Sequence, residues 1–170
     1  MRRVYAQHAG ISFEESPNPQ VIEQIALGKA AGNKDAALEA YRSLGEIAGD
    51  ALANALTLID GLVVIGGGLS KGHQLFLPAL IKELRNFYTG PAGNPIPRLS
   101  AKAFNLEDAE DLQKFLAGET REITVPGSPR KIKYDSLPRT GVGISRLGTS
   151  EAVALGAYAF ALHRLGSETI

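Results

Sequence analysis

The chain has 170 residues, of which 44% are hydrophobic and 21% charged, an ordinary globular composition with room for one domain. Lysine plus arginine and aspartate plus glutamate number 18 each, so the formal charge is zero and the basic excess of a general nucleic-acid binder is missing. Cysteine is absent, which excludes disulfides and cysteine-based zinc sites, and no apolar run approaches the roughly 20 residues of a membrane helix, so a soluble cytoplasmic protein without nucleic-acid or membrane partners is expected.

Met1 to Ala9 reads as the closing turns of a helix, ended by Gly10. Pro17 and Pro19 keep 11–19 irregular, and Gln20 to Ala31 reads as a short helix with Val21, Ile22, Ile25 and Leu27 on its apolar side. Asn33 is placed to cap the longest helix, Lys34 to Ile59, whose apolar residues recur every three or four positions. Gly45, Gly49 and Ala53 form a second row on that helix. Each glycine costs about 1 kcal/mol of helix propensity against alanine, so two on one face point to the close approach of another backbone; singly, each is equally a tolerated mid-helix glycine.

Leu62-Val63-Val64-Ile65 is a β-branched apolar run, predicted to be a strand buried on both faces. Gly66-Gly67-Gly68 follows directly, and a helix is predicted from Gly72 to Tyr88, kinked or restarted at Pro78. The stretch 89–97 is turn-rich, Asn105 is placed to cap a short helix ended by Gly118, and Glu107, Asp108, Glu110 and Asp111 read as its solvated acidic start. Arg121–Val125 and Arg130–Tyr134 form a predicted hairpin around Pro126-Gly127-Ser128-Pro129, with Arg130, Lys131 and Lys133 on a charged edge. Val142–Ser145 is a further candidate strand. Thr149 or Ser150 caps a final helix running to Leu165, followed by Gly166 and a polar tail at 167–170. No internal repeat is present, and His8, His73 and His163 are too scattered in sequence to suggest a metal site.

The glycine turn is the strongest local signal. Glycines at a strand end let a ligand approach the backbone and can adopt positive φ. Ligands of open α/β sheets bind off the carboxyl ends of strands; a tight turn with no ligand explains such a motif about as well. Two nucleotide motifs are excluded. Gly67 to Gly72 has the glycine spacing of a P-loop, but His73 and Gln74 replace its lysine and hydroxyl residue, and Lys71 stands where a dinucleotide fingerprint needs its last glycine.

Taken in order, the small-residue helix, Leu62-Val63-Val64-Ile65-Gly66-Gly67-Gly68-Leu69-Ser70, Phe76-Leu77-Pro78-Ala79-Leu80, Leu147-Gly148 and Ala154-Leu155-Gly156-Ala157 resemble the C-terminal half of ROK sugar kinases. The resemblance covers Val21 to Tyr88 and Leu147 to Leu162. It implies an α/β fold: the C-terminal lobe of an actin-like (ribonuclease H-like) ATPase domain, one domain over 1–170, with 99–146 as a hairpin and helix insertion. It implies that Gly66, Gly67, Gly68, Leu69 and Ser70 line an adenosine site, and that the last helix matches the segment connecting the two lobes. The cofactors implied for the whole enzyme are ATP and Mg²⁺.

The family's first phosphate motif, its catalytic aspartate, its Glu-x-Gly-His sugar contact and its zinc cysteines have no counterpart here. A truncated or split chain is therefore expected, inactive alone, with no catalytic or metal-binding residue of its own. Its expected partners are the missing N-terminal lobe, a nucleotide, a hexose bound only by the whole enzyme, and further copies of itself. A sugar-responsive repressor of the same family and a non-enzymatic α/β binding module are the alternatives.

Overall fold

The computed structural model describes residues 1–167. Helix formation in the first third follows local capping. Helix α1 (Arg2–Ala9) closes on Gly10 at φ 69°. Helix α2 (Pro19–Ala26) starts where Asn18 accepts the Val21 N–H at 3.0 Å, with Pro19 supplying a preset φ. It ends five residues before the predicted Ala31, the chain turning through Gly28 and Gly32 at positive φ. Helix α3 (Lys34–Leu58) starts at Asn33, whose side chain accepts the Ala36 N–H at 3.0 Å. Its Ala37, Ala40 and Tyr41 are fully buried against Ile22, Phe76, Leu77 and Leu80.

Helix α4 (His73–Leu84) packs along α3, and the glycine row makes that possible. A β-carbon on Gly45 would lie 2.3 Å from the Phe76 carbonyl oxygen, and one on Gly49 would lie 2.8 Å from that of Leu80. The row is therefore covered by α4, not left as open apolar surface. Helix α4 is continuous through Pro78 and ends four residues before the predicted Tyr88.

Strands β1 (Val63–Ile65), β4 (Lys102–Asn105) and β7 (Arg139–Ile144) form a parallel sheet in the order β1-β7-β4, with Val63 beside Val142 and Phe104 beside Gly141. Val63, Ile65, Val142 and Ile144 pack against the helical core. The opposite face carries Val64, Gly143, Gly141 and Phe104, and helix α5 (Ala109–Ala117) covers only its β4 side, where Phe115 meets Phe104 edge-on at 5.8 Å. Val64 is 69% exposed, so β1 is buried on one face and not on both as predicted.

The stretch 99–146 is more than an insertion, because it supplies β4 and the central strand β7. The part that stands apart is the hairpin of β5 (Thr120–Thr124) and β6 (Lys131–Asp135). Helix α5 is capped by Asp108, which accepts the Asp111 N–H at 2.9 Å, and not by Asn105, which ends β4. The acidic start of α5 is also more than a solvated face. Asp111 accepts the Asn105 N–H at 2.9 Å and pairs with Arg85.

The end of the predicted helix and the predicted loop 89–97 form a hairpin instead, β2 (Phe87–Thr89) with β3 (Pro95–Pro97). Hydrogen bonds join Arg98 to Asn86 and Gly90 to Asn94 at the two ends of the hairpin, and the alternation of the ladder puts the prolines opposite Phe87 and Thr89, at positions that donate nothing to the partner strand. Arg98 fixes this hairpin to the helices. Its side chain is 6% exposed, pairs with Asp50 of α3 and Glu83 of α4, and lies 5.5 Å from the Tyr88 ring.

Asp135 clasps the base of the β5–β6 hairpin. Its carboxylate pairs with Arg139 and accepts the N–H groups of Glu119 at 3.0 Å and Leu137 at 3.1 Å. The Arg139 hydrogen bond, helped by those two amides, lowers its pKa from 3.8 to about 2. A lowered carboxyl pKa stabilises the clasp above the unfolded value and is lost as pH falls through the folded one. The Glu119 and Leu137 amide resonances are thus expected to titrate with a midpoint near 2, and Asp135→Asn to flatten that titration. A midpoint near 4, the ordinary carboxyl value, would show that the clasp does not form.

Helix α6 (Thr149–Ser167) already includes Thr149 and Ser150, so its cap position falls on Gly148 and not on either of them, and it runs through Gly166. The rest of the predicted polar tail, 168–170, lies outside the described residues.

Candidate nucleotide site

All three parallel strands end at one edge of the sheet. The ends of β1 and β7 are tied together there by the Ser145 N–H, which donates to the Ile65 carbonyl at 2.8 Å. Beyond β1 the chain turns at Gly67, at φ 94° and ψ −178°, a conformation open to glycine and strained for other residues. A 3-10 turn over Gly68–Gly72 follows. Ser70 locks it, its hydroxyl donating to the Gly67 carbonyl at 2.7 Å, and His73 Nδ1 lies 3.0 Å from the Ser70 carbonyl oxygen. Beyond β7, residues 145–148 run into α6.

These two turns face one another across a cleft of about 650 Å³. Gly67, Gly68 and Ser70 line one wall, while Ser145, Arg146 and Gly148 line the other. The motifs at 66–70 and 147–150, distant in sequence, are thus brought together. Of the expected site residues, Gly66 is exposed but outside the lining, where a β-carbon would meet Ser145 at 3.6 Å, and Leu69 is 39% exposed and likewise outside it. Nothing lies within 4 Å of a β-carbon built on Gly67 or Gly68, so the space over both is open.

Sequence reasoning missed Lys71, His73, Arg146 and Glu151, which also line this cleft. The signal for Arg146 lay in the pairing of β7: once that strand is parallel to β1, whatever follows it stands at the ligand-binding edge. A second, more apolar cavity of about 550 Å³ lies between the β2–β3 hairpin and β4. There Arg85 is already engaged by Asp111 and by the Ala103 carbonyl.

The three-dimensional comparison decides what this arrangement is like. The chain is similar to a glucokinase. The crystal structure of glucokinase from Parabacteroides distasonis matches it with a TM-score of 0.80 and 42% sequence identity. The match covers 95% of this chain and 43% of that one, so this chain spans less than half the length of that glucokinase. The resemblance read from the sequence is therefore present in the fold, and at 95% of the chain it reaches well beyond the 21–88 and 147–162 that the sequence motifs covered. No protein family and no curated protein matches the chain.

No group of three or more histidine, aspartate or glutamate side chains converges to hold a metal among the described residues. Among them, no helix is long and apolar enough to cross a membrane.

Proposed function

We propose that this chain is the C-terminal, nucleotide-binding lobe of an ATP-dependent hexose kinase of the ROK type, and that the glycine cleft receives the adenosine of ATP. The observation that carries this reading is the open cleft between the turns after β1 and β7, at the carboxyl edge of a parallel sheet, in a chain 42% identical to a glucokinase. Gly67 and Gly68 let the nucleoside lie against backbone, and Ser70 holds the turn in shape. In the whole protein the γ-phosphoryl of ATP passes to a hexose hydroxyl. Mg²⁺ arrives on the nucleotide phosphates. The catalytic base and the sugar contacts come from the other lobe, so this chain alone does not turn over. We place the whole enzyme in the cytoplasm, with neither nucleic acid nor membrane as a partner.

Gly68 gives the cleanest test, because its φ is not positive and the space above it is open. Gly68→Val strains nothing in the free chain, yet fills the space a nucleoside needs. NMR titration of the 170-residue chain is expected to show ATP and adenosine both bound at least about tenfold more weakly by the variant, with an unchanged thermal melt. Undiminished binding by the folded variant would mean that the glycines form only a turn.

A further inference from the structure

Glu107 stands in the turn between β4 and α5, at the same sheet edge as the glycine cleft. Its side chain is 13% exposed. Oε1 accepts the Ile144 N–H at 2.9 Å, and Oε2 lies 3.0 Å from Arg146 Nη2. The neighbouring Leu106 seats this turn on β7, filling the space a β-carbon on Gly141 would need at 2.7 Å. One oxygen of the carboxylate is thus anchored to the end of β7, and the other grips a guanidinium that lines the cleft.

Stability does not account for the pair. Arg146 is 80% exposed, and exposed ion pairs contribute little. What the pair does is orient a planar fork of five donors, of which Glu107 takes one edge. Arg146 has no other partner among the described residues. Lys71 stands on the opposite wall, and Glu151 is the one acidic residue in the lining. The cleft is therefore equipped for an anionic group beside the uncharged space over Gly67 and Gly68.

We propose that Arg146 contacts the phosphates of the bound nucleotide, and that Glu107 is the positioning residue that holds it there. This rests on the nucleotide reading of the cleft, and it assigns a division of labour: the glycine wall takes the nucleoside, and the Arg146 wall takes the charge. A charge-assisted contact to phosphate is lost when the guanidinium is removed or released, whereas adenosine offers it nothing to bind.

The test titrates ATP and adenosine separately into the 170-residue chain and its variants by NMR. Arg146→Met and Glu107→Gln are each expected to weaken ATP about tenfold and to change adenosine by less than about twofold. The glutamine amide can still accept from Ile144, so Glu107→Gln releases Arg146 without unseating β7. The double variant is expected to lose no more than either single one, because the two residues act as a unit. Arg146→Lys is expected to keep part of the ATP affinity as a point charge. Equal loss of ATP and adenosine in Glu107→Gln would reduce it to a structural residue and overturn the proposal. Unchanged ATP binding in Arg146→Met, an exposed site that folding tolerates, would overturn it as well. Gly68→Val separates the two failures. If that variant loses both ligands while Arg146→Met loses neither, the cleft reading stands and this assignment falls.

Discussion

Gly45→Val is expected to leave much of the protein unfolded at room temperature, and Gly45→Ala to destabilise it by about 1–3 kcal/mol. The geometry sets the sign. A methyl at this position would stand 2.3 Å from the Phe76 carbonyl oxygen and 2.9 Å from the Ala79 β-carbon, both on α4. Backbone cannot swing away as a flexible side chain can, so α3 and α4 must separate, and the contact that fills the core between Tyr41 and Leu80 opens with them. Alanine's better helix propensity returns only about 1 kcal/mol. A domain of this size is stable by about 5–15 kcal/mol, so valine, with two further methyl groups at the same spot, removes a large part of it. The control is Gly156→Ala, on α6, where nothing lies within 4 Å of the new atom. Chemical denaturation of the three variants should show a large loss for valine, a smaller one for alanine and none at 156. Wild-type stability in Gly45→Val would mean that α3 and α4 do not approach as closely as described.

Association of the 170-residue chain at micromolar concentration is the second large effect expected, and helix α6 is its cause. From Ser150 to Gly166 every residue of α6 is exposed, including Leu155, Tyr158, Phe160 and Leu162. The apolar residues run around the helix and are not gathered on one face, the pattern of a helix enclosed by protein. Each such side chain gains about 1.5–3 kcal/mol on full burial, so exposure of several together favours any surface that covers them. Under the proposed reading as one lobe of a kinase, the rest of that protein would supply the cover; in the 170-residue chain a second copy is expected to take its place. Light scattering should report a dimer or larger species, and Leu155→Glu, Tyr158→Glu and Leu162→Glu combined should return a monomer with an intact fold. A strictly monomeric wild type across that range would show that α6 does not associate.

Both predictions rest on features the sequence displays unequally. The residue that starts α3 is legible because a cap is a bond between neighbours, Asn33 to Ala36; the same bond from Asn18 to Val21 goes unread behind Pro17 and Pro19. The glycine row announces a close approach because glycine's cost within a helix needs a reason. The β5–β6 hairpin is legible from its alternation and its proline-glycine turn, and the glycine turn after β1 from its position at a strand end. In each case the information lies within a few residues of the feature.

The remainder needed the third dimension. Which backbone meets Gly45, what lies beside Val64 and which strand is central depend on pairings between distant segments. Thr140 donates to the Gly61 carbonyl across 79 residues, and Val63 pairs with Val142. Asn105 loses the cap of α5 to Asp108 because β4 continues through Asn105 to complete its pairing with Val142. Prolines hid β3 because a proline's effect on a strand depends on which way its nitrogen faces, which only the partner strand decides, and β2 reads in sequence as the end of the helix before it. The amino-acid sequence by itself determined the α/β class, the cap of α3, the glycine turn and the likeness to a sugar kinase. Only the tertiary structure placed Arg146 and Glu107 at the glycine cleft, because parallel strands join segments far apart in the chain, and no local pattern records which ends will meet.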